Sequence, residues 1–88
     1  MLKIHRSADG EEVIFTLSGR MDDESTVELE DLIRAETKGQ RIVLDIGELT
    51  LAGRSDIVFL AGCEAGGIRL VKGARYIRDW IARHRGGK

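Results

Sequence analysis

Eighty-eight residues, 42% hydrophobic and 33% charged, suffice for one small globular domain and are too few for a second core. A formal net charge of -1 lacks the basic excess of a nucleic-acid binder, and a single cysteine excludes an internal disulfide or a cysteine-based zinc site. No apolar run reaches the ~20 residues of a membrane span and the N-terminus lacks a signal-peptide pattern, so the expected location is a reducing cytoplasm.

Residues 1–6 alternate apolar and polar, as a short half-buried strand does. Residues 8–11 form a turn with Asp9-Gly10 as its signal, and residues 12–18 (EVIFTLS) alternate again through Val13, Phe15 and Leu17, which predicts a hairpin. Residues 19–22 (GRMD) close the second strand, and Asp22 or Asp23 is the expected N-cap of a helix running to about Glu36. Its expected apolar side is Val27, Leu29, Leu32 and Ile33, and Gly39 stops it.

The segment 40–67 organises the rest. Residues 42–46 (IVLDI) are too few for a helix and β-branched enough for a buried strand. A loop punctuated by Gly47 and Gly53 follows, and Ile57, Leu60 and Ala61 mark a helix over 55–65 that Gly66-Gly67 ends. Residues 68–71 (IRLV) read as another short strand, Gly73 as a turn, and 74–84 as a last helix with Ile77, Trp80, Ile81 and His84 on one side. Residues 85–88 are expected to fray. The order ββαβαβα implies one α/β domain over 1–88: a mixed, mostly parallel four-stranded sheet with three helices.

In order and spacing, LSGRMD, IVLDI, LTLAGRSDIVFL and GGIRLV resemble the STAS domain family of sulphate transporters and anti-sigma-factor antagonists. The family's Gly-Arg-Leu-Asp-like turn is matched by Gly19, Arg20, Met21 and Asp22, and its V-L-D-L-like strand end by Val43, Leu44, Asp45 and Ile46. The family's last strand and terminal helix have no counterpart in the sequence. The resemblance implies a bacterial regulatory module that works by protein–protein contact. Its partners would be a kinase or anti-sigma-like protein, or a subunit of a lipid transport system. The residues themselves form no catalytic constellation, so no enzymatic turnover, metal or cofactor is expected. A sensor holding a small anion or nucleotide at the second helix N-terminus is the reading from another class.

One departure matters. Where regulatory members carry an Asp-Ser phosphoacceptor segment, this sequence has Gly53-Arg54-Ser55-Asp56-Ile57, so the acceptor position falls on Arg54. Arginine neither accepts phosphate nor mimics it, its charge being of opposite sign. Ser55 is one residue, ~100°, further round the helix and reads as an N-cap or first-turn residue. Arg54 opposes the helix dipole, and Asp56 and Asp22 are the carboxylates expected to offset it. The expected contact surface comprises Gly19, Arg20, Asp22 and Asp23 of one loop with Gly53, Arg54, Ser55 and Asp56 of the other.

The remaining candidates read as structural. Cys63 has no second thiol, His5 and His84 have no spaced partners, and Asp45 reads as a loop cap. Tyr76 and Trp80, at i and i+4, are placed for an aromatic contact, and Arg75, Arg78, Arg83, Arg85 and Lys88 make the last helix basic. With no further strand beside 68–71, an uncovered sheet edge is expected there. It would support a weak homodimer or heteromeric contact near Trp80.

Overall fold

The alternation over the first twenty residues becomes an antiparallel hairpin in the computed structural model, which describes residues 2–36 and 39–86. Strands β1 (Leu2–Asp9) and β2 (Glu12–Arg20) pair from Leu2↔Gly19 to Asp9↔Glu12. The two-residue connection is Gly10-Glu11, and Gly10 takes φ 66° where a side chain would be strained. Helix α1 (Asp23–Arg34), strand β3 (Arg41–Leu51), helix α2 (Arg54–Ala65), strand β4 (Arg69–Val71) and helix α3 (Arg75–Gly86) follow. The sheet order is β1-β2-β3-β4, with β3 parallel to both β2 and β4.

Two successive crossovers of one hand put the helices on one face of the sheet. Val13, Phe15 and Leu17 of β2, Leu44 and Ile46 of β3 and Leu70 of β4 point to that face. They join Leu29 of α1, Ile57, Leu60 and Ala61 of α2, and Ile77 and Ile81 of α3 in one core. α2 lies between the other two helices, packing extensively on α3 and more lightly on α1. The opposite face mixes Ile14, Val43 and Val71 with Thr16, Asp45 and Arg69, and none of the described helices covers it.

Helix ends follow local chemistry. Asp22 is the N-cap of α1: its carboxylate accepts from the Ser25 N–H at 2.8 Å, while Ser25 Oγ accepts from the Asp22 N–H at 3.0 Å. At the end of α2, the Ile68 N–H reaches the Cys63 carbonyl and the Gly67 N–H that of Glu64, with Gly67 at φ 103°. That is a Schellman arrangement, formed where Gly66-Gly67 was expected to stop the helix.

Several boundaries differ from the expectation. β3 runs to Leu51 rather than stopping at Ile46, and β2 runs to Arg20, so Gly19 and Arg20 end a strand instead of forming a turn. The reason is pairing: Ser18↔Glu48, Gly19↔Leu49 and Arg20↔Leu51 continue the ladder past two register shifts, and Leu49 is buried. α1 ends at Arg34, short of Glu36, and its inward stripe is Ser25, Leu29 and Ile33. Val27, 56% exposed, and Leu32 lie off that stripe. α2 starts at Arg54 rather than Ser55, and α3 extends through Arg85 to Gly86 where fraying was expected. Gly87 and Lys88 lie outside the described residues, as does Met1.

Candidate functional site

The ends of β2 and β3 bring the two expected loops into one cluster. The Met21 N–H donates to the Leu51 carbonyl at 3.0 Å, and Thr50 Oγ1 donates to the Gly19 carbonyl at 2.9 Å. From α3, the Tyr76 hydroxyl donates to the Thr50 carbonyl at 2.8 Å. Backbone polar groups that turns leave unpaired are thereby satisfied between loops.

At the start of α2 the N-cap is Gly53, which has no side chain to offer. Asp56, three residues on and only 4% exposed, reaches back to the N-cap backbone instead, the half of a capping box that a glycine N-cap still allows. Its Oδ2 accepts from the Gly53 N–H at 2.8 Å. Its Oδ1 lies 3.0 Å from Thr26 Oγ1 of α1, whose single proton is shared with the Asp22 carbonyl at 2.9 Å. Ser55, in the first turn, donates to Asp23 Oδ1 at 3.3 Å. The hydrogen bond from the Ser25 N–H holds the Asp22 carboxyl below its ordinary value. That part of the cap's contribution is present above the usual carboxylate range and fades as pH falls.

Asp56 is an acid in the first turn of α2, as the helix dipole favours, but it makes no ion pair with Arg54. Neither Asp22 nor Asp56 pairs with it; their carboxylates serve Ser25, Gly53 and Thr26 instead. It lies exposed, lining with Trp80, Arg83 and His84 of α3 a surface groove of about 310 Å³. Neither Arg54 nor Arg83 makes an ion pair among the described residues. Sequence reasoning considered Arg54 and the basic last helix separately. Their meeting depends on the packing of α3 against α2, which no local pattern encodes. Thr26 was missed for the same reason.

The other candidates are structural. Asp45 lies inside β3, where its carboxylate accepts from the Gly47 N–H at 2.9 Å and pairs with Lys72 at 3.5 Å. His5 is exposed on β1. Among the described residues no three His, Cys, Asp or Glu side chains converge as a metal site would require. Cys63 borders a groove of about 380 Å³ between α1 and α2, with Ile33, Val58 and Phe59. Burial, aided by Glu30, pushes its thiol up to about 11. At neutral pH it should react with a disulfide reagent on the order of 100-fold more slowly than the unfolded chain's thiol. Stopped-flow kinetics with and without denaturant measure the ratio, and equal rates would contradict it.

No protein-family profile and no curated protein matches the sequence. The three-dimensional comparison finds a crystal structure of an uncharacterized protein of the DUF3478 family from Shewanella loihica, described as having a SpoIIAA-like fold. The match has a TM-score of 0.56 and 14% identity, covering 94% of this chain and 75% of that one. The fold is SpoIIAA-like. This is the architecture of the STAS domains and anti-sigma antagonists, the fold that the resemblance implied. In the SpoIIAA-like fold of this chain, no described helix is long and apolar enough to cross a membrane.

Proposed function

We propose that the domain is a non-enzymatic regulatory module that works by contact with a protein partner, in the manner of an anti-sigma-factor antagonist. The observation that carries the reading is the outward side of α2. Ile57, Leu60 and Ala61 bury one side of this helix, yet Val58 is 44% exposed on the other, followed by exposed Gly62 and Ala65. A helix apolar on both sides is normally covered on both. Arg54 stands at the start of that surface as an unpaired charge, suited to fix the register of a docking partner. The two loops beside it are held by hydrogen bonds, so the surface is presented with little ordering left to lose.

The module does not use the phosphorylation switch that the family resemblance implies. The position corresponding to the acceptor is Arg54, and the Ser55 hydroxyl is engaged with Asp23. Incubation with ATP and a STAS-directed kinase should leave Arg54 and Ser55 unmodified by mass spectrometry; stoichiometric phosphate on Ser55 would overturn this. In a complementary pull-down, Val58→Asp and Arg54→Glu should each weaken partner capture while leaving the circular dichroism spectrum unchanged. Undiminished capture by both variants would remove α2 as the contact.

A further inference from the structure

The helical layer carries opposite charge on its two flanks. α1 exposes Asp23, Glu24, Glu28 and Asp31 around Val27, and its Arg34 is paired within the helix with Glu30. α3 exposes Arg75, Arg78, Arg83 and His84; Arg75 has Asp79 at 3.8 Å, and Arg78 is spent on the Lys72 carbonyl, which leaves its charge uncompensated. Between them the outward side of α2 is uncharged from Ser55 to Ala65 except for half-buried Glu64. Apolar grooves flank it, one against α1 and one of about 400 Å³ lined by Val58, Ala61, Gly62, Ala65 and His84.

We propose that a second copy of this chain docks on this layer, related by a two-fold axis running along α2, with the acidic α1 of each copy against the basic α3 of the other. The charge pattern selects that axis. Rotation by 180° about a line parallel to α2 exchanges the flanks, so α1 of one copy faces α3 of its partner twice. An in-plane axis across the helices would instead set α1 on α1 and α3 on α3, like charge on like. Rotation about α2 also preserves height along the helices. Hydrogen bonds from Thr26 to Asp56 and from Ser55 to Asp23 put the start of α1 level with the start of α2. Arg54, the first residue of α2, lines the groove with Trp80, Arg83 and His84, so the groove opens at that same level, although His84 also lines the groove beside Ala65 at the far end of α2. Asp23, Glu24 and exposed Val27 of one copy therefore come opposite that groove in the other, acids to cations and valine to indole.

Other occupants fit less well. The Arg54–Trp80 groove is open to solvent, whereas small-ligand sites enclose most of their ligand. The sheet-edge contact expected from the sequence rests on β4, which is three residues long and flanked by Arg69 and Lys72. So short and charged an edge is a poor template for a second chain. A protein partner using the outward side of α2 would compete with the second copy for it.

Charge reversal tests the proposal on the intact chain. Glu24→Arg and Arg83→Glu change exposed side chains that make no hydrogen bond or ion pair among the described residues. The wild type should associate in sedimentation velocity between micromolar and millimolar concentration, and more weakly as salt rises. The emission of Trp80, the sole tryptophan, should change over the same range. Each variant alone meets like charge at both contacts, and its dissociation constant should rise at least about tenfold. An equimolar mixture should restore association, because every contact in the mixed dimer again pairs an acid with a base. Circular dichroism confirms that each variant is folded. A wild type that stays monomeric throughout the range at low salt overturns the proposal. A mixture that associates no better than its components overturns the α1-to-α3 arrangement.

Discussion

Replacing Gly73 by alanine should destabilise the domain by about 3 kcal/mol. Gly73 has φ 102°, a conformation that side chains rarely adopt. A Cβ there would lie 2.8 Å from Ile46 Cγ1 and 2.9 Å from its Cδ1. Ile46 is fully buried in β3, so it has no free space to yield. Backbone strain of ~1–2 kcal/mol and overpacking of ~1–3 kcal/mol therefore act together. The turn is already strained at Lys72, the only non-glycine among the described residues with positive φ, at 63°. It leads into α3, so any relief displaces Ile77 and Ile81 from the core. In a domain of this size the melting temperature should fall by on the order of 10–20 °C. Urea denaturation and calorimetry measure the change, and a variant melting within a degree or two of wild type would refute the account.

Asp56→Ala should cost about 2–3 kcal/mol. The carboxylate accepts from the Gly53 N–H and so fixes the N-cap residue from inside the first turn, and it ties α2 to Thr26 of α1. Its loss leaves a helix N-terminus with neither cap nor acid and with Arg54 unopposed in the first turn. Asp56→Asn keeps an acceptor in place and should recover roughly half of the loss. A double-mutant cycle with Thr26→Ala should show a coupling of about 0.5–1.5 kcal/mol between the two helices. If Asp56→Ala unfolds at the wild-type urea midpoint, the carboxylate is not what holds the loop, and the contact surface proposed above loses its support.

Much of this architecture is written in short stretches of the sequence. The alternation through Val13, Phe15 and Leu17 specified a strand with one buried side, and the hairpin followed from the Asp9-Gly10 signal. An N-cap at Asp22 or Asp23 and a helix stop at Gly66-Gly67 were legible because capping chemistry reaches no further than about one helical turn, and the structure settles on Asp22. The order ββαβαβα and the mixed, mostly parallel sheet followed from those local elements and the handedness of crossovers. Pairing between distant residues decided the rest. Gly47 looked like the end of a strand, but β2 supplied partners that carried β3 on to Leu51. Val27 and Leu32 looked like core and are turned outward, because the stripe through Ser25, Leu29 and Ile33 fits the sheet. Arg6 of β1 finds Glu36, thirty residues away, at 2.8 Å, and Thr26 finds Asp56 across the same span. Asp56 supplies an acid in the first turn of α2, yet Arg54 itself lines a groove with Arg83 and His84. Hydrophobic period and capping act over a few residues and so can be read in order. Which side chains meet across the helical layer depends on how three helices settle on one sheet, and only the packed structure decides it.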